Sequence, residues 1–388
     1  MTEKQNYTLR QLVLYFLRLG AMGFGGPVAL VGYMHRDLVE ERKWISNDDY
    51  KEGLALAQLA PGPLAAQLGI YLGYVDYGIL GATLTGLAFI LPSFLMVVAL
   101  GFAYKIYGGL NWMQAVFYGV GASVIGIIAH SAYKLTQKTI GKDRLLWLLY
   151  LVAAIVTIAT ETESVFLFLG AGVLAWLIKE PPKFSKFTRS VGGFIPPSLL
   201  PFLMGTPPAD NATLLKIAGF FAKAGAMVFG SGLAIVPFLY GGVVNEYHWL
   251  TVKQFLDAVA VAMITPGPVV ITVGFIGFLV AGFTGASLAA LATFLPCYLF
   301  TIIPAPYFKK YGKRPDIAAF VAGVTAAATG AIAGAVVILG RRSISDIPTA
   351  LLALVTVTLL FKTKKIKEPI IVLAAALIGV LIFPWVHH

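Results

Sequence analysis

The 388-residue chain is 58% hydrophobic and only 12% charged, with a mean hydropathy of +0.83, a balance that excludes an ordinary soluble domain. A formal charge of +11 invites a nucleic-acid reading, but the basic residues sit in short connections such as "YKLTQKTIGKDR", "KEPPKFSKFTR", "KKYGKR" and "KTKKIK". That is the placement of topology anchors beside an anionic membrane face, so no nucleic-acid partner is expected. The one cysteine, Cys297, rules out an intramolecular disulfide and any multi-cysteine metal site.

The polar start, "MTEKQNYTLRQ", leads into an apolar helix with no small-residue cleavage site, and no removable signal peptide is expected. The first helix carries Arg18 and halts at "GFGGP", which includes Gly25, Gly26 and Pro27. Glycine permits close approach and positive φ, and a helix restarting after it turns free N–H groups and the positive end of its dipole inward, an arrangement that favours an anion. Hinge kinks or tight helix crossings are the plainer reading of the same residues. His35 and Arg36 begin a charge cluster that reads as a solvated loop, and Trp44 reads as an interface anchor.

"QLAPGPLAAQ", residues 58–67, then places Pro61, Gly62 and Pro63 inside a hydrophobic stretch, flanked by Gln58 and Gln67 and preceded by Glu52. Proline removes a donor and blocks helix continuation, so in bare lipid this break would leave backbone groups unpaired at several kcal/mol each. It must lie against protein or line a watery cavity, where the freed groups can bind a solute. The runs from Tyr77 to Phe102 and Trp112 to Ala132 are long enough to cross a core of roughly 30 Å. Trp147 to Ala159 and Val165 to Ile178 are short for separate spans, and the proline-rich, basic stretch 179–211 reads as a linker with an amphipathic middle.

Beyond the linker the motifs return. A shift of 205 pairs residues 16–63 with 221–268 without a gap, at 16 of 48 identities, including Trp44 with Trp249 and Pro61-Gly62-Pro63 with Pro266-Gly267-Pro268. "VFGSG", with Gly230, Ser231 and Gly232, answers "GFGGP"; Lys223 answers Arg18; Asp257 answers Glu52. After one deletion the register continues at 204, with Leu295-Pro296 answering Leu91-Pro92, and a further long apolar run extends from Phe283 to Ile303. The expected architecture is an all-α polytopic membrane protein of two homologous helical-bundle repeats with broken or re-entrant helices: an N-terminal repeat at 1–178, the linker at 179–211 and a C-terminal repeat at 212–388. Ten-residue alternating segments, the mark of a membrane barrel, are missing.

Charge bears on orientation. A simple span count puts "KKYGKR" and "KTKKIK" opposite the basic N-terminus and 134–144 loop, a conflict that inverted repeats would remove, so inversion is expected. Arg18 and Lys223 lie roughly 14 Å into their helices at 1.5 Å per residue. They either snorkel or pair with acids, or face the cavity and attract a divalent anion. Glu52 and Asp257 are candidates for proton coupling, with helix capping or a salt bridge as the plainer role. Gln58, Gln67, Thr265 and Thr272 are candidate neutral donors to an oxyanion, or ordinary interhelical hydrogen-bonders.

"FGGPVALVGYMHRDLVEERKW", "LAQLAPGPLAAQLGIYLGY" and "LAFILPSF", followed by "FGSGLAIVPF", "MITPGPVVITVGFIG" and "LATFLPC", resemble the chromate ion transporter family in its long, two-domain form. Ser231 departs from that family's more usual run of glycines. The resemblance implies export of chromate from the cytoplasm, with sulfate as a chemically similar anion, through two domains of opposite orientation in a bacterial or archaeal inner membrane. The expected partners are a small oxyanion and the bilayer, with a homodimer left open; no cofactor is expected. The competing readings are a sulfate or other oxyanion importer or exchanger and an anion channel. An intramembrane enzyme is disfavoured, since the five histidines are scattered and no HExxH or clustered acidic motif occurs.

Overall fold

The computed structural model describes residues 7–23, 26–107, 111–160, 165–181, 209–228, 235–311, 314–344, 346–363 and 368–386, and among them every regular element is helical. The first half contains α1 (Leu9–Met22), α2 (Gly26–Met34), α3 (Asn47–Leu59), α4 (Leu64–Tyr107), α5 (Asn111–Ile140), α6 (Arg144–Thr160) and α7 (Val165–Lys179). The second contains α8 (Ala209–Ala226), α9 (Ile235–Tyr240), α10 (Val252–Ile264), α11 (Thr272–Ile302), α12 (Ala305–Tyr311), α13 (Pro315–Ser343), α14 (Ile347–Lys362) and α15 (Glu368–Val386). Four helical stretches, Leu64–Tyr107, Trp112–Lys134, Val269–Phe308 and Pro315–Arg341, are long and apolar enough to cross a membrane. The outer face of α4 shows Leu80, Leu84, Leu87, Leu91 and Leu95 uncovered at helical spacing. Such a stripe is stable only against hydrocarbon, and the chain is a multi-pass membrane protein.

Neither α4 nor α11 is a single rod. Gly78 adopts φ 58° and ψ −148°, a region open essentially to glycine alone, and the chain reverses there. Across the reversal the Thr85 hydroxyl donates to the Gly69 carbonyl at 3.1 Å, so the 64–77 and 79–107 arms are antiparallel. Gly282, at φ 63° and ψ −152°, turns α11 in the same way. A Cβ built at Gly277 would come within 2.4 Å of the Gly285 carbonyl across that turn.

Two further reversals precede the long arm. α1 and α2 fold back on each other, with the Tyr15 hydroxyl donating to Asp37 at 3.3 Å and the Tyr7 ring stacked on Trp44 at 5.1 Å. α3 and the 64–77 arm do likewise, closed by a 2.8 Å bond from the Tyr71 hydroxyl to Glu52. Tyr7 ties the two bases together: its hydroxyl bonds Asp76 and its carbonyl accepts from the Tyr77 hydroxyl. Both hairpins therefore hang from one end of the molecule, with the glycine break at one tip and Pro61-Gly62-Pro63 at the other. Thirteen residues of α3 rise only about 20 Å, too short to cross a core of roughly 30 Å.

Local chemistry fixes the hairpin entrances. The Ser46 hydroxyl accepts from the Asp49 N–H at the start of α3, and Thr251, 205 residues on, forms a capping box with Gln254 at the start of α10. The preceding segments, His35–Glu41 and Gly241–Glu246, are π-helical turns, each followed by a residue with positive φ, Lys43 at 52° and His248 at 51°.

Thr83 near the start of the 79–107 arm lies 2.7 Å from the Tyr298 hydroxyl near the end of α11. Gly101, towards the other end of that arm, meets the Phe278 ring. The long arms of α4 and α11 thus run in opposite directions. α5 and α14 run the same way, since Tyr118 donates to Asp346 at 2.8 Å while His130 contacts the Phe361 ring at 4.7 Å. The α14 end that leads into "KTKKIK" therefore lies beside the C-terminal part of α5, at the end of the 134–144 loop.

The halves also exchange packing. α5 lies against α14 and α15, while α13 lies against α6 and α7. These crossings are close: a Cβ at Gly119 would sit 1.9 Å from the Ala375 carbonyl, and one at Gly330 would sit 2.1 Å from the Tyr150 carbonyl. Small residues let the backbones touch, which is how helices associate where the solvent is as apolar as leucine. α6 and α7, the two short segments, return to a common base where Lys179 pairs with Asp143.

Asp143 also accepts from the Leu145 and Leu146 N–H groups. Bonding to Lys179, together with these amides, holds its carboxyl below the usual carboxylate range. The folded pKa being depressed, the stabilisation is complete above the unfolded value of about 4 and is lost as the pH falls through the folded value. Asp143→Ala is expected to cost about 1 kcal/mol at neutral pH, as an N-cap loss does. The gap to wild type should narrow in melts run below pH ~4. Gly78→Ala tests the reversal more directly: its Cβ would meet nothing within 4 Å, so an expected loss of about 1–3 kcal/mol in detergent-solubilised melts is backbone strain alone.

Candidate anion site

The two proline breaks meet through the backbone. Gly62 N–H donates to the Val228 carbonyl at 2.6 Å, and Gly267 N–H donates to the Gly23 carbonyl at 3.0 Å. Val228 and Gly23, like Gly267 and Gly62, are 205 residues apart. Each hairpin tip is therefore held by the end of the other half's first helix. Gly62 sits at φ 145° and Gly267 at φ 93°, conformations that only glycine adopts without strain. A side chain at Gly267 would also collide with Ser93, whose Oγ lies 2.0 Å from the Cβ position.

A small crevice opens at this junction, lined by Pro27 and Leu30, by Pro63 and Ala65, and by Gly267, Pro268 and Val269. Three helix starts converge on it: α2 begins at Gly26, α4 at Leu64, and a 3-10 turn, Val269–Ile271, leads into α11. The first turns of helices carry N–H groups without intrahelical partners, and their dipoles add positive potential. No side chain lining the crevice is charged, so the backbone provides its polarity.

The other sequence candidates divide. Pro61 and Pro266 flank the two tip glycines. Gly25, Gly230, Ser231 and Gly232 lie outside the described residues. Arg18 on α1 and Gln58 on α3 are exposed, and Lys223 is exposed with its ammonium 5.8 Å from the centre of the Phe238 ring. None of the three lines the crevice.

Three of the four proposed neutral donors bond to backbone carbonyls. Gln67 Nε2 donates to the Pro61 carbonyl at 2.8 Å, Thr265 to Val261 at 2.6 Å and Thr272 to Ala258 at 2.7 Å. The Thr265 hydroxyl closes on its own helix, α10, while Thr272 bonds across from α11 to α10.

The paired acids differ. Glu52 is half-buried and takes the Tyr71 hydroxyl from its own hairpin, whereas Asp257 is 3% exposed and takes the Tyr104 hydroxyl at 2.7 Å from the long arm of α4. Neither caps a helix. Tyr104 has no sequence signal of its own. Ser93 and Cys297 had one, since each follows the matched proline of "LPS" and "LPC". Ser93 lies against Gly267, and Cys297 Sγ lies 3.1 Å from a Cβ built at Gly62, so these two residues back the two tips.

Comparison with known proteins matches the chromate transporter model at residues 10–176 and 215–380, most of the chain. The chain belongs to the chromate transporter family. It is 70% identical over 383 residues to the chromate transport protein of Cupriavidus metallidurans, covering 98% of this chain and 95% of that one. The probable chromate transport protein of Synechococcus elongatus is 66% identical, covering 97% of this chain and 96% of its own. The chromate transport protein of Pseudomonas aeruginosa is 30% identical, covering 96% and 92%. No solved structure matches the chain. Family and helices together make it a multi-pass cell membrane protein of the transporter class.

The contrast between the acids is measurable. Tyr104→Phe strips the described hydrogen-bond donor from a buried carboxylate and is expected to destabilise by about 1–3 kcal/mol. Tyr71→Phe removes one partner from the half-buried Glu52 and should cost less. Paired thermal melts of the two purified variants decide it, and equal losses would contradict the difference in burial.

Proposed function

We propose that this chromate transporter family member carries chromate out of the cytoplasm, binding the oxyanion where the two Pro-Gly-Pro tips meet. The observation that carries this reading is the crossed pair of backbone bonds, Gly62 to Val228 and Gly267 to Gly23, which brings three helix starts to one crevice. Helix starts bind oxyanions without needing a cationic side chain. The relatives' names supply chromate, and the geometry of the crevice supports an anion.

We further infer that the chain divides into repeats at 1–178 and 212–388, joined by 179–211, and that the repeats are inverted about an axis in the membrane plane. The opposed directions of the long arms of α4 and α11 support this, as does the gathering of the α14 C-terminus with the 134–144 loop. The positive-inside rule makes that end cytoplasmic. Alternating access then rocks the hairpins of one half against the other around a fixed site. Gly25 and Gly26 would present the first break to the anion, with Gly230, Ser231 and Gly232 as their counterparts. Arg18 and Lys223, exposed and outside the crevice lining, would contribute long-range attraction, and Glu52 and Asp257 would be the carboxylates for proton coupling.

Purified protein in liposomes, loaded with radiolabelled chromate and oriented by protease accessibility, tests the reading. Saturable flux from the cytoplasmic face is expected, and its loss in a monodisperse Gly26→Leu variant. Arg18→Gln and Lys223→Gln should change flux by less than about threefold, an electrostatic effect that salt would erase. Sulfate flux in the opposite direction with no chromate flux would favour the importer reading, and non-saturable flux a channel.

A further inference from the structure

The Gln67 side chain is wholly buried behind Gly62, and its amide is oriented by the bond from Nε2 to the Pro61 carbonyl. A carbonyl accepts and cannot donate, so this bond fixes which atom is left over. The remaining atom, Oε1, is buried and has no hydrogen-bond partner among the described residues. Gly62 N–H is committed to Val228, Gly267 N–H to Gly23 and the Thr272 hydroxyl to Ala258, while the Cys297 thiol lies beside Gly62 as a weak donor only. Gln67 is not itself among the residues lining the crevice. It stands against Gly62 in the first turn of α4, beside the lining residues Pro63 and Ala65 in the chain, so the break combines helix-start amides, which want an anion, with one adjacent acceptor, which wants a proton.

We propose that Gln67 Oε1 accepts a hydrogen bond from the hydroxyl of a monoprotonated oxyanion, so that this break selects hydrogen chromate over a bare dianion such as sulfate. The inference rests on the oxyanion-transport reading above. A tetrahedral hydrogen anion can present bare oxygens to the helix starts and its single O–H to Gln67, satisfying both kinds of group at once. A bare dianion would set an oxygen lone pair against Oε1 and leave the acceptor unsatisfied. Chromate takes up a proton close to neutral pH, whereas sulfate does so only in strong acid, so one amide separates two ions of the same shape. No bond is broken: the proton enters and leaves with its anion.

The test compares initial chromate and sulfate uptake in proteoliposomes at fixed total anion across pH values from about 6 to 8.5. The titratable and charged groups on the elements packed around Gln67 include Cys297 on α11, Glu52 on α3, Asp257 on α10 with its partner Tyr104 on the long arm of α4, Tyr71 and Asp76 on its own arm, and Tyr15 and Arg18 on α1. These act on either anion, so the chromate-to-sulfate ratio isolates the protonation of the substrate. The ratio is expected to fall about tenfold per pH unit once hydrogen chromate is the minor form. In Gln67→Leu the ratio should flatten, because the acceptor is gone. Should that variant fail to fold, thermal stabilisation of the wild-type protein by chromate and by sulfate at about pH 6.5 and 8.5 gives the same comparison. Equal transport or stabilisation by the two anions, with a ratio independent of pH, would overturn the selection by Gln67. Absence of binding and flux for both anions at every pH would instead overturn the oxyanion-transport reading and this inference with it.

Discussion

Every backbone amide within a membrane must find a partner, and this molecule depends on where its broken helices find theirs. A Pro-Gly-Pro break cannot close its own hydrogen bonds, so each tip borrows a carbonyl from the end of a helix in the other half. The exchange is mutual. It ties the two tips to one point, positions Pro63 against Gly267 and Pro268, and leaves the first turns of the following helices facing a shared crevice. Had each tip found its partner within its own half, the breaks would have been two separate kinks with no common site.

The same need explains the hairpins. A helix that stops halfway across hydrocarbon is tolerable only when its end is covered, and the covering here comes from reversals at Gly78 and Gly282 that bring the chain back before it departs on a full crossing. Ser93 and Cys297 then close the space behind the tips. The tyrosines do the corresponding work at the bases, where Tyr7, Tyr71 and Tyr77 bond the acids and carbonyls that hairpin ends leave exposed.

Much of this was legible in the residues. The breaks stand out because proline and glycine have few uses inside an apolar run, and the 205-residue register ties them together because identity at matched breaks cannot come from hydrophobicity alone. All-helical class and membrane residence followed from composition. The reversal at Gly78 was not legible: "VDYGILGAT" reads as an ordinary apolar helix, and a lone glycine there differs from its neighbours only in a φ angle that no pattern reports. The roles of Gln67, Thr265 and Thr272 were hidden for a related reason. A side chain's chemistry is visible in sequence, but whether its donor is already committed to a nearby carbonyl depends on the fold. For Arg18 and Lys223, counting residues gives a height along a helix but not the face on which a side chain stands. Tyr104 is matched in the other half by Phe308, which lacks the hydroxyl, so the repeat could not single out its bond to Asp257.

The exchanged packing of α5 and α13 bears on how such a chain is made. When the first half has entered the membrane, Gly119 on α5 still waits for the backbone of a helix that has yet to be synthesised, and α6 and α7 wait for α13. The first half therefore reaches its final arrangement only after the second arrives. Until then its small-residue faces are open to lipid, or to the same face on another newly made chain. Assembly must run as one late, concerted closure rather than as two domains folding in turn, and a ribosome stalled in the second half would leave behind a sticky intermediate rather than half a transporter.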